Sequence, residues 1–208
     1  MDSKHIAYFD ILNIVACISV VILHANGAVH QYVHDSTWWI RVFYEVAFYF
    51  AVPIFFMLSG ATLLRYRQRY DTSTYIHKRI HRAFIPFILF STIFMLLAIA
   101  RDAYHGEEIH SLHYIAAFCS GRLMWTNYWF FIPLFLLYIF IPFISLITNQ
   151  LSDNKILLLA GIIIGLQSIL WPLQRWMGED PSHLPMDSYI AYLLLGGGTF
   201  ERKFLFEA

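Results

Sequence analysis

The chain has 208 residues, 59% of them hydrophobic and 18% aromatic, with 13% charged side chains, a mean hydropathy of +0.57 and a formal net charge of zero. Soluble domains carry about 25% charge and interrupt their apolar stretches with polar faces, so this composition excludes a soluble enzyme and describes a multi-pass membrane protein. The neutral balance also provides no basic surface for nucleic acid.

The N-terminus reads as a retained span. One lysine, Lys4, precedes Asp10, and the first apolar run ends His-Ala-Asn-Gly instead of in a small-x-small cleavage site. A bilayer takes roughly 20 apolar residues per helix. On that length the sequence predicts an all-α, polytopic membrane helical bundle with five complete spans and an incomplete sixth. The spans lie near Phe9–Ala28, Trp39–Leu64, Ala83–Ala103, Tyr128–Ile147 and Ile156–Leu173, and the sixth starts near Ser188. Pro53, Pro86, Pro133 and Pro142 kink spans or mark their starts.

The first span carries the most informative pattern. Asp10, Asn13, Cys17, Val20 and His24 fall at i, i+3, i+7, i+10 and i+14 and so share one helix face. Asn13 and His24 are eleven residues apart, about 16 Å at the helical rise. Ionisable groups inside a membrane span are functional candidates by default. His24 has two readings on the residue alone: a general base or proton relay, or a buried imidazole bonded to a neighbouring helix.

In the second span Glu45 lies at a depth matched to His24 within about a helical turn. It can orient and charge-balance the imidazole, or it can pair with Arg41 one turn back on its own helix. Ser59-Gly60 reads as small-residue helix packing.

The following loop holds Arg65, Arg67, Arg69, Lys78, Arg79 and Arg82, and six cations in one short loop assign it to the cytoplasm. The N-terminus is then cytoplasmic too, and ten of the fourteen Lys/Arg fall inside, a bias the opposite topology would invert. Arg79 and Arg82, one turn apart before Pro86, suit a phosphate-rich ligand or simple headgroup anchoring.

The outer segment Arg101–Trp125 contains His105, His110 and His113 with Glu107 and Glu108, but no ligand set of convincing spacing, so no metal is expected. Trp38, Trp39, Trp125, Tyr128, Trp129 and Trp171 read as interfacial belts. Cys17 and Cys119 read as isolated packing thiols. The sixth span runs Tyr189–Gly198 before it breaks, ten residues and too short to cross about 30 Å, and the chain is read as a single domain over residues 1–208 cut short on its C-terminal side.

Read from these residues alone, a small transporter or flippase subunit with a Glu45–His24 proton relay competes with a membrane enzyme and with an inactive remnant. A resemblance adds weight to the enzyme. Tyr8-Phe-Asp-Ile-Leu-Asn-Ile-Val-Ala-Cys-Ile-Ser-Val-Val-Ile-Leu-His24 resembles the first helix of membrane acyltransferase family 3. Pro53-Ile-Phe-Phe-Met-Leu-Ser-Gly60 resembles its second-helix signature, and Arg79-x-x-Arg82-x-x-x-Pro86 its arginine motif. Trp129-Phe130, Tyr138 and Pro142 resemble a later aromatic helix. The resemblance implies a cell-membrane O-acyltransferase of about ten spans in its usual form, with no bound cofactor and with acyl-CoA, acetyl-CoA as the expected case, as co-substrate. The acceptor it implies is a hydroxyl of a cell-envelope glycan. It further implies His24 as the essential histidine and Arg79 and Arg82 as the arginines that meet the donor phosphates, which fits the residue reading: Glu45 is the depth-matched partner of His24, and the donor's acyl arm extends along the face of Asp10, Asn13 and Cys17. One departure stands out: the family commonly has an arginine where this chain has Asn13, which removes a permanent cation from the stripe.

Overall fold

A computed structural model describes residues 7–106, 112, 114, 115, 118, 130–178 and 186–199. Among these the chain is helical and has no strand. The helices are α1 (Ala7–Ala25), α2 (Ser36–Phe48), α3 (Ala51–Leu63), α4 (Thr72–Arg79), α5 (Ile85–Tyr104), α6 (Phe131–Thr148), α7 (Asp153–Trp176) and α8 (Met186–Thr199). A π-helical turn, Ile80–Phe84, joins α4 to α5. Five helical stretches are long and apolar enough to cross a membrane: 7–25, 36–68, 72–104, 131–148 and 153–176. Their outward side chains, among them Ile11, Ile14, Ile18, Val21, Leu89, Phe143 and Ile169, are large, apolar and uncovered by protein, as lipid-facing surfaces must be.

The chain divides into two compact units, one of residues 1–65 and 141–208 and one of residues 66–140. In the first unit α3 is central, touching α1 and α8, and α8 also packs on α7. The second span, within 36–68, is interrupted near Pro53 as expected: α2 ends at Phe48 and α3 begins at Ala51. Pro53 has no N–H to give the Tyr49 carbonyl, so the i→i−4 ladder fails at that point. Asp35 caps α2, its carboxylate accepting from the N–H groups of Thr37 and Trp38. The Thr37 hydroxyl is the main cause that holds Asp35 below the usual carboxylate range.

Ser59-Gly60 packs as its small side chains predict. A Cβ on Gly60 would overlap the Leu193 carbonyl, and one on Gly196 would overlap the Met57 carbonyl, so α3 and α8 meet backbone to backbone. Phe56, fully buried, stacks on Tyr189 with centroids 4.5 Å apart. The sixth, short span is α8, which runs helically through Gly196, Gly197 and Gly198 and ends at Thr199. Glycine weakens an isolated helix, but here contact with α3 and α7 offsets that cost.

In the second unit most of the expected cationic loop is helix. Asp71 caps α4 through the Ser73 N–H, and helix then continues from Thr72 to Tyr104. Tyr75 is buried, stacked on Tyr66 at 4.4 Å, and its hydroxyl donates to the Tyr138 carbonyl at 2.9 Å. Phe84 and Phe87 pack edge-on against Phe135 at 5.5 and 5.1 Å.

Candidate active site

Candidate residues fall in both units: Asp10, Asn13, His24 and Glu45 in the first, Arg79 and Arg82 in the second. In the first, α1 buries Ala16 and Ser19, with the Ser19 hydroxyl donating back to the Val15 carbonyl at 2.8 Å. The stripe lies roughly a third of a turn around the helix from that face. Asp10, Asn13, Cys17 and His24 are exposed and Val20 is half-buried. The polar residues therefore flank the packed seam without entering it. His24 is in the last turn of α1, and among the described residues it forms no ion pair.

Glu45 is half-buried on α2. Neither partner expected for it, His24 or Arg41, makes an ion pair with it among the described residues. Its Oε2 accepts from Asn26 Nδ2 at 3.1 Å, and the same amide donates to the Arg41 carbonyl at 2.9 Å. Asn26 lies just beyond α1, its own N–H returning to the carbonyls of Ile22 and Leu23. It clips the His24 end of α1 to α2. Sequence reading passed over this residue, although an amide two positions past His24 at the end of an apolar run is a usable signal. Trp38 adds a second clip by donating Nε1–H to the Val29 carbonyl at 3.1 Å. Beside it an open groove is lined by Tyr32, Val33, His34, Asp35, Ser36 and Trp39.

In the second unit the arginine motif straddles the π-helical turn, where the Ile85 N–H reaches the Ile80 carbonyl. Such turns are rare and gather at functional sites. Arg79 ends α4, its guanidinium 5.5 Å from the Tyr138 ring and 6.0 Å from the Tyr75 ring. Two aromatic faces suit a planar cation. Its Nε is buried with no hydrogen-bond partner among the described residues. Arg82, three residues on and within the wide turn, is exposed. His77 and His81 lie one turn apart with ring centroids 4.1 Å apart, and Lys78 Nζ sits 3.9 Å from the centroid of the Tyr70 ring.

The family model for an acyltransferase domain, that of acyltransferase family 3, matches residues 6–205. The chain belongs to acyltransferase family 3. No curated protein and no solved structure matches it. The acyltransferase family 3 match spans both units, covering α1 with His24 as well as Arg79 and Arg82, and it identifies the chain as a membrane acyltransferase.

His110, His113, Glu107, Glu108, Cys119, Trp125, Tyr128 and Trp129 lie outside the described residues. Among the described residues no three metal-ligating side chains gather, and Cys17 is a free, exposed thiol.

Proposed function

We propose that this acyltransferase moves an acyl group, acetyl as the expected case, from acyl-CoA to a hydroxyl of a cell-envelope glycan, with His24 as the base. One observation carries the reading: His24 stands uncovered on the polar stripe of α1 in a chain that matches the acyltransferase domain almost end to end. An imidazole packed into a helix seam could not reach a substrate, whereas this one can.

In the proposed step His24 takes the proton of the acceptor hydroxyl as its oxygen attacks the thioester carbonyl carbon. A C–O bond forms, the C–S bond breaks, and the imidazolium returns the proton to the leaving thiolate. Glu45, tethered by Asn26, acts as a positioning residue that sets negative charge at this end of α1. Asp10 and Asn13 line the stripe along which the acyl arm extends. Arg79 and Arg82 take the donor phosphates, and the unpaired Arg79 Nε supports this because a desolvated guanidinium donor gains most from an anionic acceptor. The positive-inside bias puts the N-terminus and these arginines on the cytoplasmic side of the cell membrane. The exposed rings of Tyr32 and Trp39 beside Asp35 suit stacking and hydrogen bonding to a sugar near the His24 end.

The test is acyl transfer by the purified chain in nanodiscs, with labelled acetyl-CoA and an added glycan. Transfer that disappears in His24→Ala is the expected result. Transfer that persists in His24→Ala removes the base. A proton-coupled flux without any transfer favours the transporter reading.

A further inference from the structure

Arg65 follows α3 and is 4% exposed, the most buried cation among the described residues. Its Nη2 pairs with Oδ1 of Asp153, the first residue of α7. Its Nη1 is buried with no hydrogen-bond partner among the described residues. A guanidinium has five donors in a fixed fork, and a donor left dry and unpaired costs more than the same donor in water.

The helix end that Arg65 faces is also short of partners. Ser152 takes the N-cap position in extended conformation, yet its hydroxyl makes no capping bond. The Ser152 carbonyl receives the N–H groups of Lys155 and Ile156, so among the described residues those of Asp153 and Asn154 are the open ones of the first turn. Ser152, Asn154 and Lys155 are exposed, and α8 closes one side, with Gly198 set against Leu157 and the Asp153 carbonyl. Arg65, Lys155 and the positive pole of α7 together outweigh the Asp153 carboxylate.

We infer that this corner of α3 and α7 binds the phosphate group of a phosphoester. Its oxygens bridge Arg65 Nη1 and the open N–H groups of α7, with Lys155 at the rim. Guanidinium forks match phosphate geometry, and helix N-termini supply convergent N–H donors to anions. Asp153 orients the arginine, and its side chain, 32% exposed, can turn toward solvent to share that arginine with the anion. This site is independent of the donor reading, since Arg65 and α7 belong to the first unit and Arg79 and Arg82 to the second. The phosphate comes either from an anionic lipid headgroup or from a soluble phosphoester.

The experiment follows thermal unfolding of the whole chain in two arms. One adds inorganic phosphate to micelles. The other compares nanodiscs of phosphatidylcholine with and without phosphatidylglycerol. A rise in Tm of about 5 °C is expected in the arm that holds the right source. Lys155→Glu and Arg65→Lys should each abolish the rise, the first without altering the Tm in phosphatidylcholine alone. Asp153→Asn should lower that Tm, and the same anion should restore it. No rise in either arm, a rise that survives Lys155→Glu and Arg65→Lys, or an Asp153→Asn loss that no anion restores overturns the proposal.

Discussion

Asn26 changes what Glu45 can do. A carboxylate matched in depth to an imidazole invites a direct pair, but the amide two residues past His24 reaches it first and ties it to the Arg41 carbonyl as well. The depth match followed from helical rise along each span, which counts residues without knowing which side chain turns toward which. Removing the clip tests its role. Asn26→Ala should destabilise the fold by about 2 kcal/mol, as expected for a bond to a charged, half-buried group, read by thermal unfolding in detergent. His24→Ala, at an exposed position, should leave Tm unchanged while lowering turnover at least about 100-fold, the scale of a lost general base. Asp71 supplies a pH signature. The Thr74 hydroxyl is the main cause that holds its carboxyl below the usual carboxylate range. A folded value below the unfolded one, about 3.9, means that its stabilisation is complete above that pH and is lost as pH falls through the folded value. Asp71→Asn should flatten the decline in helical circular dichroism on acidification below about pH 4.

One element departs from expectation: the cationic loop folds as α4 from its Asp71 cap, whereas the interruption ahead of Pro53 and the short span through Gly198 follow the sequence. The start of α4 was legible in principle, since an Asp-Thr-Ser-Thr cap is a local signal. What the glycines of α8 pack against was not, because it depends on a backbone distant in the chain. Gly60→Val or Gly196→Val should cost about 3 kcal/mol or more, since the added atoms meet carbonyls and not mobile side chains. Unfolding in a denaturant titration would measure it. The π-helical turn gives Arg79 and Arg82 different surroundings, one between tyrosine rings and one exposed. Arg79→Lys keeps the charge and loses the planar fork, so it should raise the KM for acetyl-CoA about tenfold with little change in kcat. Arg82→Lys should have the smaller effect.

For the whole molecule, exposed apolar surface and charge bias make the largest-scale prediction. Single cysteines near Tyr32 and near Gln68, in a Cys17→Ser, Cys119→Ser background, should separate in sealed cells. An impermeant maleimide should label the first and spare the second if the N-terminus is cytoplasmic. By itself the sequence determined the all-α membrane class, the number of full-length spans, the stripe of Asp10, Asn13 and His24 and the family. Each of these rests on residue type at fixed spacing along the chain, which is local information. Only the tertiary structure decided that α1 buries Ala16 and Ser19 and leaves His24 open, that Asn26 holds Glu45, that Gly60 and Gly196 let two backbones touch, and that Arg65 is buried beside Asp153. These are pairings between residues distant in the chain, and the spacing within one helix carries no term for the atoms of another.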